Sequence, residues 1–316
     1  MTAVVEVIGL LSGVMGIWSF FQDMIPGGDG TAATFRVQVA VDGYSEDGSD
    51  PLTNGGGGIQ TIRTYNVNHN LIGTGGETGS IGSGEYQDLA VGQQVANQAT
   101  FAEFYANDDA VCIAYISATL HDQTHWAWTG DWGYICGLDW FYSGVIMPGT
   151  DSKPRCTWID RDHSEEIKAG VIGINWAGFI SHEQPGADYD GKDKCDNDGA
   201  FKAWAGDGQE SVISKRALRS RNIEGRLKKR SKFVGDDRLV ISSAANQTAT
   251  ELCTHPSSFG PDFVSLEEGK YCNMETRELL PLCGVGVSGK CFDVKAAKSE
   301  LTKRAEPGQK SKIIEW

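Results

Sequence analysis

The chain of 316 residues lacks the short motifs that announce common enzyme chemistry. It has no G-x-S-x-G elbow, no H-E-x-x-H pair and no kinase signature, which removes the usual serine hydrolase, zinc protease and phosphotransferase readings. No two cysteines are spaced C-x-x-C, so zinc fingers and thioredoxin-type redox centres have no support. The nearest approach to a phosphate loop, Gly284 to Lys290, is followed by Cys291 where Ser or Thr would hold magnesium. The glycine-rich residues 71–84 do not match G-x-G-x-x-G and open no helical pattern, so they read as a β loop. Proline is sparse, nine residues against 40 glycines, a balance that suits many short strands joined by tight turns. Basic residues are scarce over residues 1–214, where 9 Lys and Arg face 29 Asp and Glu, a balance of −20. A domain this acidic repels polyanions, which argues against nucleic acid as a partner.

What the chain does have is an aromatic segment at residues 110–144, with Trp126, Trp128, Trp132 and Trp140. β-branched and aromatic residues alternate with small ones on either side of His121-Asp122-Gln123-Thr124, the pattern of a β-hairpin. Pairing residue i with residue 248 minus i sets Leu120 against Trp128, Ile116 against Trp132 and Cys112 against Cys136. Cysteines directly across an antiparallel ladder are within disulfide reach, and a bridge there would stabilise by roughly 3 to 4 kcal/mol. Elimination then leaves Cys156 with Cys195. Residues 34–42 alternate with Phe35, Val37, Val39 and Val41 inward, and Ile172, Ile174 and Trp176 share one side of a later strand. Short strands separated by turn signals point to a β-sandwich rather than alternating β and α units.

Cysteines are divided evenly: Cys112, Cys136, Cys156 and Cys195, then Cys253, Cys272, Cys283 and Cys291. Two self-contained disulfide sets are the mark of an extracellular protein. The apolar start, residues 1–26, has Glu6 where a signal peptide has a basic region, and no A-x-A cleavage site. Its uncharged run is short for a membrane span of about 20 residues. It reads as a helix, packed on its own domain, docked in a membrane or oligomer, or a degenerate export signal.

Four further features carry functional expectations. Asp188, Asp190, Asp193, Asp196 and Asp198 supply hard oxygen ligands between glycine turns and make a candidate calcium site, weighed against a solvated acidic loop; the EF-hand pattern is absent. Residues 215–232 reverse the charge, with 9 Lys and Arg against one Glu. Dibasic pairs there and near the end, closing on Arg216, Arg230 and Arg304, fit cleavage by a processing protease whose acidic cleft binds successive cations. Cutting the block would leave each piece an even number of cysteines. Asn246-Gln247-Thr248 is a glycosylation acceptor in an exported chain. Trp126, Trp128, Trp132 and Trp140 are either a sugar-stacking platform or core.

IGLLSGVMGI, ANDDAVCIAYIS, WTGDWGYICGLDWFYSG, CTWID and HPSSFGPDFVSLEEGKYCNMETRELLPLC together resemble a family of secreted filamentous-fungal proteins of uncharacterised function. The resemblance covers about half the chain and implies export, disulfides and dibasic maturation. It transfers no catalytic residue, and the start departs from it in lacking the usual signal peptide.

The expected molecule is mainly β. Residues 1–26 are an apolar helix, 27–182 a β-sandwich, 183–214 an acidic glycine-rich loop and 215–232 a basic processing linker. A cystine-rich β module follows at 233–303, then a tail at 304–316. The expected function is a non-enzymatic, toxin-like effector at a cell surface or membrane, with a glycan-binding module and a hydrolase using two facing acids as alternatives. Calcium is the one cofactor with any support.

Overall fold

A computed structural model describes residues 6–11, 14–16, 25–28, 30–41, 55–93, 96–146, 153–164, 166–179, 191–195, 200–213, 238–284, 287, 289–304 and 313–315. The chain divides into two units: Met1–Val41 with Asn54–Arg219, and Asp42–Thr53 with Ser220–Trp316. The boundary at Arg219 falls inside the basic stretch. The protein is mainly β, with several sheets and four disulfides.

The first unit holds β1 (Glu6–Leu11), β2 (Val14–Gly16), β3 (Ala32–Val39), β4 (Ile59–Tyr65), β5 (Leu71–Gly75), β6 (Tyr86–Gly92) and β7 (Phe101–Ala106). It continues with β8 (Val111–Thr119), β9 (His125–Thr129), helix α1 (Asp131–Ile135), β10 (Trp140–Tyr142), β11 (Arg155–Ile159), β12 (Val171–Asn175) and β13 (Phe201–Trp204). Every residue of β8 is buried. One edge of β8 pairs with β3, which in turn pairs with β6. Its other edge is shared, with β11 along residues 111–113 and β9 along 115–119. A second sheet runs β13-β12-β7-β4-β5. The two sheets meet in one core, where Phe35 of β3 packs edge-on to Phe104 of β7 at 5.4 Å and Trp128 of β9 stacks on Phe201 of β13 at 5.3 Å.

Phe35, Val37 and Val39 face this core as the alternation requires, and Ile172, Ile174 and Trp176 do the same. Arg36, expected outward, is covered as well: it grips Asp88 at 2.7 and 2.8 Å and lies 4.0 Å over the Tyr86 ring. The described part of the apolar start consists of strands β1 and β2, with β1 parallel to β9, and of Ile25 and Pro26 in irregular chain. The helix expected over residues 1–26 is not seen there.

The hairpin forms, but in another register. Tyr115 faces Thr129 and Ile116 faces Trp128, four residues from the expected pairing. Leu120 and Thr124 close the turn, Gln123 taking φ +64°. The chain leaves the ladder at Gly130, where any Cβ would sit 2.5 Å from the Arg155 carbonyl and 2.6 Å from that of Ile113. α1 follows at once, so Cys136 never enters the ladder opposite Cys112. Trp158 of β11 occupies that place. The bridges are therefore Cys112–Cys156 and Cys136–Cys195, not Cys112–Cys136 and Cys156–Cys195.

The second unit is a sheet ordered β17-β16-β15-β14-β18. Its strands are β14 (Leu239–Ser242), β15 (Asp262–Ser265), β16 (Lys270–Asn273), β17 (Glu278–Pro281) and β18 (Ile313–Glu315), with helices α2 (Ala249–Thr254) and α3 (Val294–Arg304). β18 pairs in parallel with β14, so the stretch expected as a tail supplies an edge strand. Cys253–Cys272 ties α2 to β16, and Cys283–Cys291 closes the glycine turn. Two bridges within each unit is the expected division.

Mapping of linked peptides without reductant should recover Cys112–Cys156 and Cys136–Cys195. Replacing both Cys136 and Cys195 with Ala should cost about 4 kcal/mol, from the entropy of closing a loop of some 60 residues. A Cys112–Cys136 peptide would contradict this topology.

Candidate functional site

The outer face of the β13-β12-β7-β4-β5 sheet carries residues that the core does not use. Strand alternation turns Phe101, Glu103 and Tyr105 outward from β7, Arg63 and Tyr65 from β4, and Lys202 and Trp204 from β13. Gly173 of β12 stands in register with Glu103 on one side and Lys202 on the other. It has no side chain to fill its place, and the Trp204 indole leans across it. A Cβ on Gly173 would lie 2.8 and 2.9 Å from the Trp204 ring. The hollow above Gly173 is an open pocket of about 150 Å³, lined by Tyr65, His69, Phe101, Glu103, Asn175, Lys202 and Trp204 among others.

Each wall is held from outside. Tyr65 and Tyr105 both donate their phenol protons to Oε2 of Glu103, at 2.9 and 2.8 Å. Arg63 donates to the Tyr105 oxygen at 3.0 Å, lies 4.6 Å over its ring and pairs with Asp207 at 2.8 Å. Burial, then the bond to Glu103, pushes the Tyr65 phenol up to about 12. The same causes raise Tyr105 further. Both phenols therefore stay protonated and stay donors throughout the physiological range. Across the pocket, Asn66 braces a tight turn by accepting from the backbone N–H groups of Asn68 and Asn70 at 3.0 Å each. His69 adopts φ +59° in that turn, and its ring packs 4.0 Å from Phe101. The Cys136–Cys195 bridge sits just before β13, and Cys195 pairs with Phe201, so this disulfide fixes the strand that carries Lys202 and Trp204.

The residues expected to act are placed otherwise. Trp128, Trp132 and Trp140 have no exposed surface, and Trp126 is half-buried against the core. The three fully buried rings offer no face to a ligand, because the core takes their whole area. Trp140 also flanks Arg155, which sits 4.1 Å over Tyr134 and pairs with the buried Asp131 at 3.1 Å. Of the candidate calcium ligands only Asp193 lies among the described residues; it is exposed and 3.6 Å from the Lys194 ammonium. Asp188, Asp190, Asp196 and Asp198 lie outside them, as do Arg216 and Arg230. Among the described residues no three His, Cys, Asp or Glu converge as metal ligands, and no helix is long and apolar enough to cross a membrane. Arg304 is the last residue of α3. Asn246 lies half-buried in the turn before α2, with Thr248 capping that helix by accepting from the Glu251 N–H at 3.2 Å.

No family model, no curated protein and no solved structure matches the chain. The site must be read from its own chemistry. It offers the rings of Tyr65, Phe101 and Trp204, the imidazole of His69, one carboxylate, one ammonium and one amide around a floor of bare backbone.

The raised Tyr65 phenol has a measurable consequence. Its proton is held more tightly in the folded protein than in the unfolded chain, where the phenol ionises near 10. Its contribution to stability is present below that pH and is lost as pH rises to about 12. Stability measured by denaturant titration should fall between those values, and Tyr65→Phe should flatten the decline. Parallel curves for the two proteins would show that burial and the bond to Glu103 do not hold the Tyr65 proton in the fold.

Proposed function

We propose that the protein is an exported, non-enzymatic effector that acts at a cell surface by binding a glycan in the hollow over Gly173. One observation carries this reading: a preformed, half-open pocket in which aromatic faces and unspent polar groups stand together. Sugars present apolar CH faces and a ring of hydroxyls, and sites that hold them pair aromatic surface with a few fixed donors and acceptors. Trp204, Phe101 and Tyr65 supply the surface; Glu103, Lys202 and Asn175 supply the polar contacts.

Holding is favoured over cleaving. Glycoside hydrolysis needs two carboxyls about 5 to 10 Å apart with the substrate between them. The second acid here, Asp207, is tied to Arg63, and the Tyr105 hydroxyl stands between it and Glu103. Four disulfides support an extracellular setting. Cleavage at Arg216 and Arg230 by a processing protease would leave two bridges in the piece before Arg216 and two in the piece after Arg230. The inward packing of Phe35 on Phe104 and Trp128 on Phe201 supports a sandwich-like first unit, whose outer sheet face presents the pocket.

A glycan array probed with the intact protein tests the proposal. Signal should appear on a defined group of sugars and disappear in Gly173→Leu, whose side chain would fill the hollow. An empty array for the folded protein, or the same signal from Gly173→Leu, would reject it.

A further inference from the structure

The charges in the pocket narrow the ligand, on the reading that the pocket holds a sugar. Gly173 separates Glu103 from Lys202 by two strand spacings, about 10 Å between backbones. The two side chains form no ion pair with each other. Oε2 of Glu103 receives both phenol protons, while Oε1 has no hydrogen-bond partner among the described residues. Lys202 likewise has none among them. Each charge is therefore available to something placed in the hollow.

The two options are not equivalent. A sugar with a protonated amine would gain a charge-assisted hydrogen bond to Glu103, stronger than a neutral one. The ammonium would also lie among the Trp204, Phe101 and Tyr65 rings, where cation–π attraction adds to the hold. A sugar acid would gain Lys202, with the His69 ring and the Asn175 amide as the other donors in the lining. It would also approach against Glu103 and a segment, residues 1–214, with 29 acidic and 9 basic residues.

We infer that the pocket selects a glycan bearing free primary amines, of the glucosamine-oligomer class, with one ammonium on Oε1 of Glu103 and its ring against Trp204. Lys202, on the far side of Gly173, donates to ring or hydroxyl oxygens and keeps the amine at the Glu103 end.

Titration calorimetry on the full chain tests this with three probes of equal length: a glucosamine oligomer, its N-acetylated counterpart and a uronic-acid oligomer. The glucosamine oligomer should bind about tenfold or more tighter than the acetylated one, the factor that about 1.4 kcal/mol supplies. Glu103→Gln, which keeps an oxygen for both phenols, should erase that preference while leaving binding to the acetylated oligomer. Lys202→Met, which removes a donor to sugar oxygens that both probes share, should weaken the glucosamine and acetylated oligomers alike and leave their ratio unchanged. Equal binding of the first two probes, or tightest binding of the uronate with loss in Lys202→Met, would overturn the charge assignment and leave the glycan reading standing. Amine binding that persists in Gly173→Leu would show attraction to the acidic surface at large, and would overturn it too. Binding of none of the three, with no other sugar bound, would bring down the glycan reading itself.

Discussion

The burial of β8 is the constraint on which the first unit rests. Nine consecutive residues, Val111–Thr119, are shut away from solvent, so each backbone group must find a partner in the sheet. β3 meets that need along one edge, and β11 and β9 divide the other. Because two strands share an edge, the chain must depart at Gly130 to let β11 in. The tight approach of Gly130 to the carbonyls of Arg155 and Ile113 records that crossing. Asp131, opening α1, accepts from the backbone and the guanidinium of Arg155 and so ties the departure to the strand that replaces it. Burial raises the Asp131 carboxyl above its usual range, with Arg155 opposing the shift.

From that arrangement the outer sheet inherits its geometry. α1 ends at Cys136, and Cys136 reaches Cys195 just before β13. The bridge anchors a short edge strand that would otherwise be held by one ladder and the Ser211 bridge. β13 in turn presents Trp204 over Gly173. The disulfide and the hollow thus belong to one chain of cause. The hydrophobic effect builds the core, the core sets strand order, and strand order leaves a glycine bare between an acid and an amine.

Much of the fold was legible in the sequence, and most of the site was not. Phe35, Val37 and Val39 announce their strand because period-two alternation is a local signal. The two-and-two division of disulfides follows from cysteine count and spacing. The hairpin register does not, since a slip of four residues keeps every side chain on its own face and leaves the alternation unchanged. Only the turn at Leu120–Thr124 and the helix start at Gly130-Asp131 distinguish the two registers. Trp128, Trp132 and Trp140 are core and Trp126 half-buried, a distinction the sequence does not carry because aromatics read alike whether buried or displayed. Tyr65, Glu103, Gly173 and Lys202 are brought together by non-local pairing that no single window contains. β13 is four residues long and lies within a polar, acidic stretch, so Trp204 was concealed in an expected loop. Its alternation of Phe201 and Ala203 inward with Lys202 and Trp204 outward was the one available hint.

The most direct test of this account is a heteronuclear NMR titration of the folded chain with a soluble oligosaccharide that binds. The account predicts that the largest shifts fall on Tyr65, His69, Glu103, Gly173 and the Trp204 indole N–H, while signals from Leu239–Ser242 and the other strands of the second unit stay in place. Shifts centred on the second unit, with the Gly173 and Trp204 resonances unmoved, would contradict it.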